Sequence, residues 1–222
     1  MSERWTEAAV MSRLRTLARP GDREGMAGYG IDPALALGVR IPVLRRLAHE
    51  IGTDHSLALR LWRTGVHEAR ILAGMIDDPA RVTERQMDSW ARGFASWDLC
   101  DQVCANLFDR TPHAWEKAVA WTARDEEFVK RAGFTLMACL AVHARPAGDT
   151  AFRRFLRVIE ERATDERNYV RKGASWALRQ IGKRNEALHA AAVRVARRLV
   201  EGESPGSRWV GRDALRELEG RG

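Results

Sequence analysis

Apolar residues recur along this chain at intervals of three and four. Between 128 and 142, Val129, Ala132, Leu136 and Leu140 form one stripe, which Phe134 and Met137 widen. Phe155, Leu156 and Ile159 do the same over 153–159, and Leu188, Ala191, Ala192, Val195, Leu199 and Val200 make a further face over 187–200. Sustained alternation of period two, bounded by turn residues, is absent, so the pattern predicts helices and no strands. The prolines (Pro20, Pro33, Pro42, Pro79, Pro112, Pro146 and Pro205) fall between the stripes. There a fixed φ and a missing N–H suit a first helical turn. Asp78-Pro79 and Thr111-Pro112 therefore predict an N-cap followed by the first helical residue, and Thr83 with Gln86 has capping-box spacing.

The helical segments are short and closely connected, and one of them is echoed. Val129-Lys130-Arg131-Ala132-Gly133-Phe134 resembles Val170-Arg171-Lys172-Gly173-Ala174-Ser175-Trp176 at a period of 41, within the range of about 40–47 residues expected for HEAT-type helix pairs. Each copy carries basic residues, then small ones that permit close helix packing. The expectation is an all-α fold: a single HEAT-like repeat domain over 1–222, an α-solenoid curved into a groove that suits a rod-like partner such as DNA.

Composition narrows the partner. Of the 222 residues 45% are apolar and 30% charged, which suits a packed core and argues against a membrane protein. No stretch approaches the roughly 18 uninterrupted apolar residues of a spanning helix. The opening Met1-Ser2-Glu3-Arg4-Trp5 lacks the pattern of a secretory leader. The cysteines Cys100, Cys104 and Cys139 cannot form an even disulfide framework. Reduced thiols and a cytoplasmic location follow as expectations. The net charge is +7; residues 1–125 hold 17 basic and 17 acidic side chains, whereas 126–222 hold 20 against 13. A basic half is the electrostatic footprint of a phosphate-rich partner.

Residues for metal or nucleophile chemistry are sparse. His67-Glu68 has no second His four residues on, and Cys100 and Cys104 share a helical face without further ligands, so both thiols are expected to be buried and no metal site is expected. Gly25-x-x-Gly28-x-Gly30 has no following lysine and no preceding strand, and marks a helix–loop boundary rather than a phosphate loop. The segment Ser96-Trp97-Asp98-Leu99-Cys100-Asp101-Gln102-Val103 is more informative. On a helix Trp97 and Asp101 share a face at i, i+4, while Leu99 and Val103 point to a core. Asp98 is placed to cap the helix start, facing away from Trp97. Among the eight tryptophans, Trp62, Trp115 and Trp121 lie in apolar stripes and are expected in the core. Trp176 is flanked by Arg171, Lys172, Arg179, Lys183 and Arg184, with Lys172, Trp176 and Arg179 on one helix face. Cations interleaved with an aromatic suit phosphate contact beside a sugar or base.

These residues resemble the AlkD-like DNA glycosylases, DNA alkylation repair proteins built from HEAT-like repeats. The resemblance runs from about Met26 to the C-terminal helix. It is carried, in order, by Gly38-Val39-Arg40-Ile41-Pro42-x-x-Arg45-Arg46-Leu47, His67-Glu68-Ala69-Arg70, the Trp97-x-x-x-Asp101 motif, Phe128-Val129-Lys130-Arg131-Ala132, and Tyr169 through Arg179 with its Lys-x-x-x-Trp-x-x-Arg pattern. It implies a monofunctional glycosylase that removes cationic purines such as 3-methyladenine and 7-methylguanine from duplex DNA without flipping the base. The same scaffold without catalysis would bind damaged or branched DNA. By position, Tyr29, Trp97 and Trp176 would form the aromatic cleft and Asp101 would be the carboxylate beside the reacting sugar. Arg131 would hold a phosphate or that carboxylate, and Lys172, Arg179, Lys183 and Arg184 would contact DNA. No cofactor and no metal are implied, and a monomer suffices.

Overall fold

The computed structural model describes residues 5–220. Met1–Arg4, on which the leader expectation largely rests, lie outside the described residues. Every regular element among the described residues is helical, as the threefold-and-fourfold spacing predicts. The chain separates into two compact units, residues 1–111 and 112–222.

The first unit holds α1 (Glu7–Thr16), α2 (Pro20–Gly25), a 3-10 turn over Met26–Tyr29, α3 (Ile41–Ile51), α4 (His55–Arg63), α5 (His67–Ile76), α6 (Glu84–Arg92) and α7 (Trp97–Asn106). α5 lies beside α3 and α7 and packs on α4, while α4 meets α6 through Trp62 and Trp90, whose rings stack at 4.2 Å and 3°. Such a pair adds about 0.5–1.5 kcal/mol beyond its burial.

The second unit holds α8 (Ala114–Trp121), α9 (Glu127–His143), α10 (Asp149–Arg162), α11 (Asn168–Gly182), α12 (Glu186–Glu201) and α13 (Pro205–Leu218). The echoed segments lie on α9 and α11, which pack side by side. The small residues act as the pattern requires. A Cβ on Gly133 would stand 2.7 Å from the Thr122 nitrogen on α8's end, and one on Gly173 would sit 3.5 Å from Arg131 Cγ of α9. Val129, Ala132, Phe134, Leu136, Met137 and Leu140 are all buried, as are Phe155, Leu156 and Ile159 of α10.

Helix starts follow their local chemistry with two corrections. Thr83 caps α6, its hydroxyl accepting from the Gln86 N–H at 3.2 Å, and Pro20 and Pro205 open α2 and α13. Asp78-Pro79, however, opens a turn: Asp78 accepts from the Ala80 N–H at 3.0 Å, and α6 begins only at Glu84. Thr111 likewise caps no helix. Its hydroxyl donates back to the Phe108 carbonyl at 2.8 Å, and α8 starts at Ala114 behind His113. In both places the side chain found a local backbone partner before a helix could form. No helix among the described residues is long and apolar enough to cross a membrane.

Candidate nucleic-acid interface

In the first unit, α7 carries the Trp97–Asp101 pair. Leu99, Cys100, Val103 and Cys104 are buried, which fixes the helix's rotation and leaves Trp97 and Asp101 half-buried on its other side. The indole of Trp97 is also held in place, donating from Nε1 to the Tyr29 carbonyl at 2.9 Å. Tyr29 itself ends the 3-10 turn after α2 and is 68% exposed. Gly30 follows it with φ 74°, the left-handed turn that glycine supplies without a Cβ clash. The structure thus brings Tyr29, Trp97 and Asp101 into one unit on neighbouring elements.

Beside Tyr29 opens a cavity of about 400 Å³, lined among others by Tyr29, Val39, Arg40, Ile71, His67 and Asp98. Only Tyr29 among these was expected at the site, and two of the others, His67 and Asp98, form a pair. Asp98, expected to cap α7 and face away, instead accepts from Ser96 Oγ at 2.7 Å and from His67 Nε2 at 2.8 Å. Burial pushes the Asp98 carboxyl up, but the His67 hydrogen bond and charge outweigh it, and the group ends below its ordinary value. His67 is the first residue of α5, so the pair ties the starts of α5 and α7 together.

The next residue, Glu68, is 1% exposed. Its carboxylate accepts the backbone N–H groups of Leu37, Gly38 and Val39 at 2.9, 2.6 and 3.2 Å. Gly38 has φ 79°, and a Cβ there would strike the Arg19 carbonyl. Arg40 then closes the loop onto α2, with Nε 2.7 Å from Asp22. The Gly-Val-Arg-Ile-Pro segment is therefore a strapped loop that forms one wall of the cavity. A charged residue on the all-apolar face of α5 was the available signal, because a buried carboxylate must have partners.

In the second unit α11 presents Lys172, exposed, and Trp176 and Arg179, half-buried. Arg179 and Lys183 both pair with Glu217 of α13, and these cations hold the Glu217 carboxyl below its ordinary value, Lys183 foremost. Arg184 has its Nη groups on the carbonyls of Ala141, Arg145 and Ala147 at 2.7, 3.2 and 3.1 Å, and its guanidinium lies 4.0 Å from the Phe152 ring centre. It closes the C-terminal end of α9, so its charge is engaged within the fold. Arg131 is 6% exposed and donates from Nη1 to the Tyr169 carbonyl at 2.6 Å, joining α9 to the start of α11.

Comparison with known proteins agrees with this architecture. A solved structure described as one of a new family related to the HEAT-like repeat DNA glycosylases, with affinity for branched DNA structures, superposes with a TM-score of 0.78 at 20% identity over 96% of each chain. A crystal structure of an engineered protein gives a TM-score of 0.40 at 15% identity, over 81% of this chain and 91% of that one. No curated protein matches significantly. The family model for DNA alkylation repair enzymes matches residues 10–218, nearly the whole of both units, and the chain belongs to that family.

Proposed function

We propose that this protein is a monofunctional DNA glycosylase that hydrolyses the N-glycosidic bond of cationic alkylated purines, 3-methyladenine and 7-methylguanine, in duplex DNA. The observation that carries this reading is the face of α7, where Trp97, pinned through its indole N–H to Tyr29, stands one turn from Asp101. A methylated purine is already a good leaving group. The protein mainly needs to stabilise positive charge growing on the deoxyribose. A fixed carboxylate does this and orients water, and an electron-rich indole face favours a cation beside it. Neither step calls for a metal, a cofactor or a flipped base, and one cytoplasmic monomer suffices. Lys172 and Trp176 on α11 supply phosphate and sugar contacts, with Arg131 setting the start of that helix. Arg179 and Lys183 join them where phosphate competes with Glu217 for their charge.

Single-turnover release of 7-methylguanine tests it. Asp101→Asn keeps the shape and removes the charge, so release slows by about 10²–10³ while duplex binding survives. Trp97→Ala and Trp176→Ala slow release with weaker binding. Equal release by Asp101→Asn and the unaltered protein, both folded, would remove Asp101 from the chemistry. A second reading, binding of branched DNA without catalysis, is favoured by what the 0.78 superposition partner is said to bind. It predicts no release from any alkylated duplex, with tighter binding to a four-way junction than to a linear duplex.

A further inference from the structure

The first unit has a second cavity, of about 480 Å³, that shares no lining residue with the one beside Tyr29. It is lined from α4, α6 and the loop before α6, whereas the Tyr29 cavity is lined from α2, α5, α7 and the strapped loop among others. Three arginines line the second cavity: Arg63 at the end of α4, Arg81 in the α5–α6 loop and Arg85 in the first turn of α6. All three are exposed, and none makes a side-chain hydrogen bond or ion pair among the described residues. No carboxylate lines the cavity. Arg40 and Arg70 of the same unit are engaged: Arg40 pairs with Asp22, and Arg70 donates to the Trp62 and Gly93 carbonyls.

Contacts within the unit hold the walls in place. The stacked Trp62 and Trp90 give an apolar floor, and Arg70 packs over Trp62, 5.0 Å from its ring centre. The remaining wall rests on Asp77, whose side chain is fully buried. It accepts from His55 Nδ1 at 2.6 Å, from Gln86 Nε2 at 2.6 Å and from the Asp78 N–H at 2.7 Å. His55, Gln86 and Ser89 all line the cavity, and with Nδ1 committed to Asp77 the His55 ring has Nε2 left for another partner.

We infer that this cavity takes one nucleotide of a single nucleic-acid strand, its base inside and the flanking phosphates on Arg63, Arg81 and Arg85. The volume suits a nucleotide-sized group and is too small to admit a duplex. Exposed arginines hold a lone phosphate weakly, whereas a strand that spans all three releases several counterions together. Polar groups at the wall over an apolar floor suit a base edge. The site rests on the family's dealings with DNA but not on glycosylase chemistry.

Binding of a 20-nucleotide thymidine strand, measured across a salt series, tests the assignment. Replacing Arg63, Arg81 and Arg85 together by Ala flattens the plot of log affinity against log salt by about two units, at roughly 0.7 per lost contact on a single strand. The corresponding triple Lys variant keeps the slope, and 7-methylguanine release from duplex stays within about twofold of the unaltered protein. Equal strand affinity and slope in the Ala variant would overturn the proposal while leaving the glycosylase reading standing. Titration with pyrophosphate supplies the other arm: pyrophosphate binding lost in the Ala variant, with strand binding unchanged, would assign the arginines to a free phosphate compound and overturn it equally.

Discussion

Two carboxylates show how single residues set this molecule's local order. Glu68 neutralises three consecutive backbone N–H groups, at Leu37, Gly38 and Val39, from a position that is 1% exposed. Glu68→Gln replaces one acceptor oxygen by a donor that faces those N–H groups. The expected loss is about 1.5–3 kcal/mol, read as a lower midpoint in urea unfolding. Asp165 is the counterpart in the second unit, accepting from Arg167 Nε at 2.9 Å, Arg167 N at 3.0 Å and Lys130 Nζ at 3.1 Å. The Arg167 hydrogen bonds, opposed by burial and helped by Lys130, hold its carboxyl well below the usual carboxylate range. Because the folded form keeps the charge where an unfolded chain would take a proton, this stabilisation is complete above the ordinary value near 4 and fades as pH falls. The stability gap between the unaltered protein and Asp165→Asn should therefore be full at pH 6 and shrink steadily between pH 5 and pH 2.

At the scale of elements, helix identity was legible because it depends on spacing within a dozen residues. The stripe of α9 and the rotation of α7, with Leu99 and Val103 inward, follow directly from the 3.6-residue period. The Trp97–Asp101 face was legible for the same reason. What the sequence could not display was pairing across helices. The His67–Asp98 bond joins residues 31 apart, so Asp98 read as a local cap when its partner lay on another helix. The turns after Asp78 and Thr111 failed for a smaller reason, a nearby backbone group that the side chain reached first. Close helix approach offers a sharp test. Alanine at Gly133 would place its Cβ 2.7 Å from the Thr122 nitrogen and 3.0 Å from the Ala118 carbonyl, forcing α8 from α9 at about 1–3 kcal/mol. Gly28→Ala meets nothing within 4 Å and should change the unfolding midpoint little, which separates crowding from a general intolerance of alanine.

Over the whole molecule, net charge proves a coarse guide to where phosphate can sit. The first 125 residues balance at 17 of each sign, yet Arg63, Arg81 and Arg85 gather around one cavity without a lining acid. The last 97 carry the excess of 20 over 13, but much of that charge is engaged within the fold. Arg198 pairs with Glu160, Arg197 with Glu219, Arg167 and Lys130 with Asp165, and Arg179 and Lys183 share Glu217. Composition counts each cation once and cannot tell a strut from a contact. Lys172 and Arg184, twelve residues apart and both basic, should therefore behave oppositely. Lys172→Ala removes an exposed charge, so the unfolding midpoint stays within about 0.5 kcal/mol while the salt dependence of duplex binding flattens by about one unit. Arg184→Ala strips three carbonyls of a charged donor and uncovers Phe152. It should cost about 2–3 kcal/mol of stability and leave the salt slope of the remaining folded protein unchanged. If Arg184→Ala flattened the slope as much as Lys172→Ala, its guanidinium would be reaching phosphate after all, and the end of α9 would have to open when DNA binds.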